Sequence, residues 1–255
     1  MNAEHDLLDL SGKRALVTGG SRGIGACICA ELARCGAHVC VGYNRDAAGA
    51  ARTVDGIKTR GGSATMLQAN LVRPDEIRVM FDSVLANGPL DIFVHNAAIG
   101  SFKPMLGVRV NQWDLSMAVG ARALLVGAQR AADEMPRGGR IVAVSSLGSG
   151  RVVPSYGAIG VSKAALEALT RYLAAELAPR GITVNAVSAG PIDAPALRAH
   201  PDGDAMMARA LERTPAGRMG LPIDVARIVV FLCSPLADWI VGQTIIADGG
   251  LSLTI

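Results

Sequence analysis

Seven short apolar runs, KRALVT, HVCVGY, SATMLQA, LDIFVH, RIVAVS, ITVNAVS and QTIIAD, recur along the chain, each separated from the next by a longer stretch of helical periodicity. A run that is apolar throughout has no polar face to offer water, so a strand made from it must be covered on both sides. Helices placed between consecutive strands supply that cover, and right-handed crossovers make the sheet parallel. The alternation therefore predicts one doubly wound α/β domain over residues 1–255, a seven-stranded parallel sheet with helices on both faces. No Pro/Ser linker, repeat or low-complexity block divides the 255 residues. The least patterned segment runs from Asp193 to Gly220 and includes PALRAHPDGD and RTPAGRMG. It follows the sixth run, where an excursion forms a candidate lid over the carboxyl edge of the sheet.

Several functional classes are disfavoured. The net charge of +3 comes from scattered Lys and Arg rather than a basic block, so neither nucleic acid nor a membrane surface is expected as a partner. The five cysteines (Cys27, Cys29, Cys35, Cys40 and Cys233) are odd in number and form no C-x-x-C pair, which points to reduced thiols and a cytoplasmic setting. No stretch has the length of a membrane span, and the acidic start MNAEHDLLDL lacks an export pattern. The four histidines are dispersed, and no metal-ligand spacing is present.

The first apolar run leads into TGGSRGIG and then a helical segment. Gly19, Gly23 and Gly25 permit a tight turn and close backbone approach to a pyrophosphate, and Ser21, Arg22 and Ile24 complete the loop. A helix N-terminus placed there attracts the phosphates through its unpaired N–H groups. Strand before and helix after make this a dinucleotide site of the Rossmann type. The second strand ends HVCVGYNR, without the acid that would bind both adenosine-ribose hydroxyls. Arg22 and Arg45, with Asn44 between strand and arginine, suit a 2′-phosphate instead, so NADPH is the expected cofactor.

The T-G-x-x-x-G-x-G spacing resembles the short-chain dehydrogenase/reductase family. That resemblance implies further cofactor contacts: Asn70 and Leu71 beside the adenine, the small turn HNAA with Asn96 and Ala97 near the cofactor, and Gly190, Pro191 and Ile192 at the nicotinamide. His95 stands where the family turn has Asn, and its expected role is a structural strand-end side chain. In most of the family a Tyr and a Lys lie four residues apart, with a Ser thirteen before the Tyr and an Asn in the preceding long helix. Here Lys163 has Ile159 four residues earlier, Ser146 at the usual Ser position and Ala118 in place of the Asn.

The tyrosine instead stands at Tyr156, seven residues before Lys163. On a helix that interval is close to two turns, about 10 Å along the axis against about 6 Å for four residues, so the phenol reaches another part of the cavity. Carbonyl reduction needs a proton donor beside the carbon that takes hydride. Conjugate reduction places hydride on a β-carbon while charge develops on an oxygen two carbons away, and a displaced phenol suits that oxygen. Lys163 would hold the nicotinamide ribose and, as a cation, favour the phenolate.

The run from SSLGS through PSYGAIGVSKAALEALTRYLAAEL to GITVNAVSAGPI, with the endings TPAGRMG and GQTIIADGG, closely resembles bacterial enoyl-[acyl-carrier-protein] reductases of the NADPH-dependent branch, which carry Y-x6-K. The resemblance implies reduction of an enoyl thioester carried by acyl carrier protein or coenzyme A, with Tyr156, Lys163 and Ser146 as catalytic residues. It also implies a homotetramer, and arginines around the lid (Arg198, Arg209, Arg213, Arg218) facing an acidic carrier or a coenzyme phosphate. Two alternatives stay open: a ketoreductase acting on a 3-oxoacyl or polyketide carbonyl, and a non-catalytic NADPH-binding sensor.

Overall fold

The computed structural model describes residues 8–198, 200 and 202–254. All seven predicted strands form: β1 (Arg14–Thr18), β2 (His38–Tyr43), β3 (Ser63–Gln68), β4 (Ile92–His95), β5 (Arg140–Ser146), β6 (Thr183–Ala189) and β7 (Thr244–Ala247). They make one parallel sheet in the order β3-β2-β1-β4-β5-β6-β7. β4, β5 and β6 are buried along almost their whole length, whereas the edge strands β3 and β7 alternate or are partly exposed. The most continuous apolar runs therefore lie at the centre, where both faces are covered.

Two apolar layers enclose the sheet, as the alternating strand side chains require. On one face Ala15, Val17, Ile92 and Val94 meet α1 (Gly23–Arg34), α2 (Ala47–Thr59) and α9 (Pro222–Cys233). On the other, Leu16, Phe93, Ile141 and Val184 meet α3 (Pro74–Leu85), α5 (Ala123–Glu134) and α6 (Gly157–Leu177). Phe81 of α3 and Phe93 of β4 pack edge to face, with ring centroids 5.0 Å apart. Gly127 of α5 lies over both rings, because an added Cβ would come within 2.8 Å of Phe93.

The chain from α4 (Val110–Met117) to α5 passes through a π-helical turn at Ala118–Arg122. The segment after β6 carries two helices, α7 (Pro195–Arg198) and α8 (Gly203–Arg213), before α9. Thr18 of β1 pairs in register with Gly42 of β2 and His95 of β4, so the loops leaving these strands emerge side by side. Strand order reverses between β1 and β4, which is where an open parallel sheet leaves a crevice at its carboxyl edge.

Candidate active site

The glycine loop joins β1 to α1 and is held by the turn after β4. Gly19 and Gly23 have φ of +68° and +58°, a left-handed backbone that only glycine adopts without strain. A Cβ on Gly25 would come within 2.2 Å of the Gly19 carbonyl, so the first helical turn folds directly onto the loop. Asn96 locks this arrangement: its side-chain N–H donates to the carbonyls of Thr18 (3.0 Å) and Gly19 (3.2 Å). Thr18 Oγ1 in return accepts from the backbone N–H groups of Asn96 and Ala97, at 3.1 and 3.2 Å.

Arg22, Asn44 and Arg45 are exposed near these loops, and neither arginine has an ion pair among the described residues. The nearest acid in sequence, Asp46, is already engaged at the start of α2, where its carboxylate accepts the Gly49 N–H at 2.9 Å. Free guanidinium groups with the neighbouring carboxylate committed elsewhere fit a phosphate better than a bare ribose. Asn44 is fixed through its carbonyl, which accepts from Gln68 Nε2 at 2.8 Å. Asn70 Oδ1 accepts the Val72 N–H at 3.1 Å, which leaves its amide N–H groups available for a ligand. Leu71 is buried in the core, so only its backbone can face a ligand. Ser21 is partly exposed in the loop, while Ile24 turns toward the core. Gly190 N–H bonds the Ala247 carbonyl, and Ile192 pairs with Gly220 at the foot of the lid segment. The carboxyl edge thus gathers Gly19, Gly23, Gly25, Asn96, Ala97, Gly190, Pro191 and Ile192 on adjoining loops.

Ser146 ends β5, and its Oγ accepts the Gly148 N–H at 3.3 Å. Tyr156 is not inside α6 but caps it, and the Tyr156 carbonyl accepts the Gly160 N–H at 2.8 Å. The preceding Ser155 has φ of +59°, which turns the chain sharply before the helix and makes it the one non-glycine residue with positive φ among the described residues. The Ser146 side chain acts on the phenol, lowering its pKa against the rise that burial causes. Gly148 makes room for the ring, since a Cβ there would lie 2.6 Å from Tyr156 Cδ1. Ile159, at the family's usual tyrosine position, is buried, and a Cβ on Gly100 would fall 2.3 Å from its Cγ1. An aliphatic side chain therefore fills the place from which the usual phenol would act.

Lys163 lies in the second turn of α6 and is 4% exposed, with Nζ donating to the Val144 carbonyl at 2.6 Å. Burial pushes its pKa down to about 8, partly opposed by the Glu167 carboxylate one turn on. Glu167 in turn accepts from Ser145 Oγ at 2.5 Å and Ser149 Oγ at 2.6 Å, which brackets Ser146 between two tethered neighbours. The expectation that Lys163 would ease deprotonation of Tyr156 is not met. Burial raises the Tyr156 pKa, the Ser146 hydrogen bond pulls it partly back, and Lys163 does not contribute. The ammonium is turned toward β5 and Glu167, so the phenol stays protonated at neutral pH.

Where the family has Asn, Ala118 opens the π-helical turn, and a different residue reaches it. His95 is fully buried, with Nε2 3.0 Å from the Val119 carbonyl and Nδ1 3.2 Å from Thr18 Oγ1. A carbonyl only accepts, so Nε2 carries the hydrogen and Nδ1 accepts from Thr18. Burial, with the Lys163 charge adding to it, lowers the His95 pKa to about 3 and keeps the ring neutral. The expected structural role for His95 matches this placement. The sequence did not reveal that one hydrogen-bond chain runs from the π-helical turn through His95 and Thr18 to the Asn96–Ala97 turn.

The lid arginines divide. Arg198 pairs with Asp193 and Arg218 with Asp224, while Arg209 and Arg213 are exposed on α8. A cavity of about 380 Å³ within the lid is lined by Arg198, His200, Asp202, Gly203, Asp204 and Ala205, none of which comes from the α6 site. Phe102, after β4, stacks on Tyr156 with centroids 6.3 Å apart and planes inclined by 24°. It was not singled out from the sequence, since a lone Phe in a loop carries no periodic signal. Among the described residues there is no metal-binding cluster and no helix long and apolar enough to cross a membrane.

A model of the family described as "Enoyl-(Acyl carrier protein) reductase" matches residues 19–252. The chain is 40% identical over 257 residues to 1-cyclohexenylcarbonyl-CoA reductase of Streptomyces collinus, covering 99% of this chain and 92% of that one. It is 37% identical to a hydroxynaphthalene reductase of Aspergillus fumigatus, covering 92% and 91%. Among solved structures, a short chain dehydrogenase from Burkholderia cenocepacia in complex with NADP superposes with a TM-score of 0.90 at 39% identity, covering 95% of this chain and 99% of that one. The glycine loop, the parallel sheet and the β5–α6 site are thus those of an oxidoreductase, and the chain belongs to the short-chain dehydrogenase/reductase family, in the group that the enoyl reductase model describes.

Proposed function

We propose that this protein reduces the carbon–carbon double bond of an enoyl thioester with NADPH, the acyl group being carried by coenzyme A or acyl carrier protein. The observation that carries this reading is the position of Tyr156, at the cap of α6 on Ser146, with Ile159 buried where the usual phenol would stand. Similarity to 1-cyclohexenylcarbonyl-CoA reductase supports the same substrate class. NADPH bound at the carboxyl edge would supply hydride to the β-carbon of the substrate, and water would supply the proton that the α-carbon takes up as the enolate collapses.

The chain's own residues supply the rest. Because Gly148 N–H occupies one lone pair of Ser146 Oγ, the Ser146 hydroxyl hydrogen is free to reach the phenol oxygen. The phenol hydrogen then remains for the thioester oxygen. A phenol whose pKa is raised by burial keeps that hydrogen and stabilises enolate charge as a hydrogen-bond donor in a desolvated site. Lys163 spends one of its three N–H donors on Val144 and retains two for the ribose hydroxyls. Gly19, Ser21, Arg22, Gly23, Ile24 and Gly25 would line the pyrophosphate. Arg22, Asn44 and Arg45 would face the 2′-phosphate, and Asn70 and Leu71 the adenine. Asn96, Ala97, Gly190, Pro191 and Ile192 would border the nicotinamide.

A second reading, reduction of a ketone, is supported by the similarity to a hydroxynaphthalene reductase. Purified protein and NADPH, given a crotonyl thioester and separately an acetoacetyl thioester, distinguish the two. Cofactor oxidation with the crotonyl compound is expected; oxidation with the keto compound alone would establish the second reading. NADPH bound tightly but turned over with neither would point to a sensor. We further propose a homotetramer, for which α5 and α6 offer Leu125, Val161 and Tyr172 exposed to solvent.

A further inference from the structure

The segment after β6 carries a buried histidine, two of whose side-chain contacts lead to Tyr156. His200 is 5% exposed although it lies in the polar stretch between α7 and α8. Its Nδ1 accepts the backbone N–H of Asp202 at 3.0 Å, so Nδ1 bears no hydrogen and Nε2 does. That Nε2–H points to the carbonyl of Pro154, at 3.3 Å, two residues before Tyr156. The same imidazole meets the ring of Phe102 edge-on, with centroids 4.6 Å apart. Phe102 in turn stacks on the Tyr156 ring. Three rings from three separate segments, the stretch after β6, the loop after β4 and the turn before α6, thus form one chain of contacts, edge-on at His200 and stacked at Tyr156.

Each contact has a consequence for the phenol. Pro154 begins the turn that passes through the positive φ of Ser155, a conformation that needs support from its surroundings. A hydrogen bond to the Pro154 carbonyl supplies such support from the lid. The Phe102 ring, met by the His200 edge, lies against one face of the partly exposed Tyr156 ring. The bond to Pro154 and the edge contact that holds Phe102 are both lost if the segment carrying His200 moves away.

We infer that His200 is a positioning residue that latches the lid to the Pro154–Tyr156 turn and, through Phe102, holds the phenol dry and correctly aimed only while the lid is closed. The inference rests on Tyr156 being the group that meets the substrate oxygen, but not on which double bond is reduced. It makes the hydration of Tyr156, and therefore its hydrogen-bond donor strength, depend on a residue that touches neither substrate nor cofactor.

The test compares His200→Ala, His200→Gln and His200→Phe in the full-length protein. Gln carries an N–H near the place of Nε2 and restores the bond to Pro154, whereas Phe restores only the ring contact. His200→Ala is expected to lower kcat/KM for the thioester about tenfold or more, with NADPH affinity within about twofold of wild type. His200→Gln should recover most of that loss and His200→Phe little of it.

The readout that a merely structural role would not move is tyrosinate formation, followed by ultraviolet difference titration. Tyr156 is resolved from the other two tyrosines by subtracting Tyr156→Phe. Its titration should move to lower pH in His200→Ala, as water reaches the ring, and stay near wild type in His200→Gln. Wild-type turnover in His200→Ala overturns the inference. So does reduced turnover with an unmoved Tyr156 titration, or a His200→Gln no better than Ala. If Tyr156→Phe keeps full turnover, the proposed chemistry fails instead, and the titration still reports on the latch.

Discussion

At the scale of single residues, the site separates a phenol that keeps its proton from a lysine that binds its own weakly. Tyr156→Phe removes the hydrogen bond proposed to the substrate oxygen while leaving the ring against Gly148 and Phe102. We expect turnover to fall about 100-fold or more and NADPH affinity to change less than about twofold, which steady-state kinetics and fluorescence titration would measure. Lys163 gives a pH-dependent signature. Burial lowers its pKa from 10.5 to about 8, so between those values the unfolded chain holds a proton that the folded chain has released. Stability contributed by this group therefore rises with pH through that window. Lys163→Met removes the cost of the buried charge, so ligand-free Lys163→Met should gain on wild type by up to roughly 3 kcal/mol at neutral pH. That advantage should shrink toward pH 10, as followed by urea unfolding; a constant difference across the range would mean that the ammonium is not desolvated in the folded state. The interval between Tyr156 and Lys163 was legible, but placing both on one helix was not right, since Tyr156 stands at the cap, outside α6. The protonation of Tyr156 was not legible, since it depends on which way the Lys163 ammonium turns.

At the scale of elements, the π-helical turn and α6 approach closely enough that only small residues fit. A Cβ on Gly120 would lie 1.9 Å from Ser162 Oγ, whose hydroxyl donates to the Ser116 carbonyl at 2.9 Å. Gly120→Ala should therefore destabilise the protein by about 1–3 kcal/mol and lower turnover by shifting α6 and with it Lys163. Adding Ser162→Ala makes room for the methyl group and should recover part of the loss, which urea unfolding of the single and double variants would show; equal stabilities would mean that the two elements separate freely. The long helical pattern around SMAVGARALL was visible in the sequence, but its π-helical turn was not. Within that turn the Val119 carbonyl accepts from buried His95, a contact between segments 24 residues apart. The Asp193–Gly220 segment, the candidate lid, was visible only as a break in the pattern, and its helices, ion pairs and buried His200 came from packing.

At the scale of the whole molecule, the carboxyl edge is assembled by strand order, and cofactor choice follows from which charges that order brings together. With Asp46 committed to the start of α2, Arg22 and Arg45 dominate the end of β2. Asn44→Asp should reduce the preference for NADPH over NADH about tenfold by repelling the 2′-phosphate, as read by kcat/KM for each cofactor. Unchanged discrimination would place selectivity elsewhere. The exposed Tyr172 of α6 belongs to the face proposed to pair between subunits, and it is 72% exposed in the single chain. Tyr172→Asp should dissociate the proposed tetramer in size-exclusion chromatography with light scattering; an assembly unaffected by it would exclude this face.

The seven strands, their parallel direction and the tight glycine loop were set by the sequence alone, because apolar continuity, helical period and glycine spacing are local properties. The residues gathered around Tyr156 were decided by tertiary structure. Ser146, Phe102, His200 and Pro154 lie on different loops, and only closure of the sheet and docking of the lid bring their hydrogen bonds and rings within reach of one another. Whether a polar side chain is charged, neutral or bonded depends on its neighbours and on the water they exclude, and neither is fixed until the core has packed.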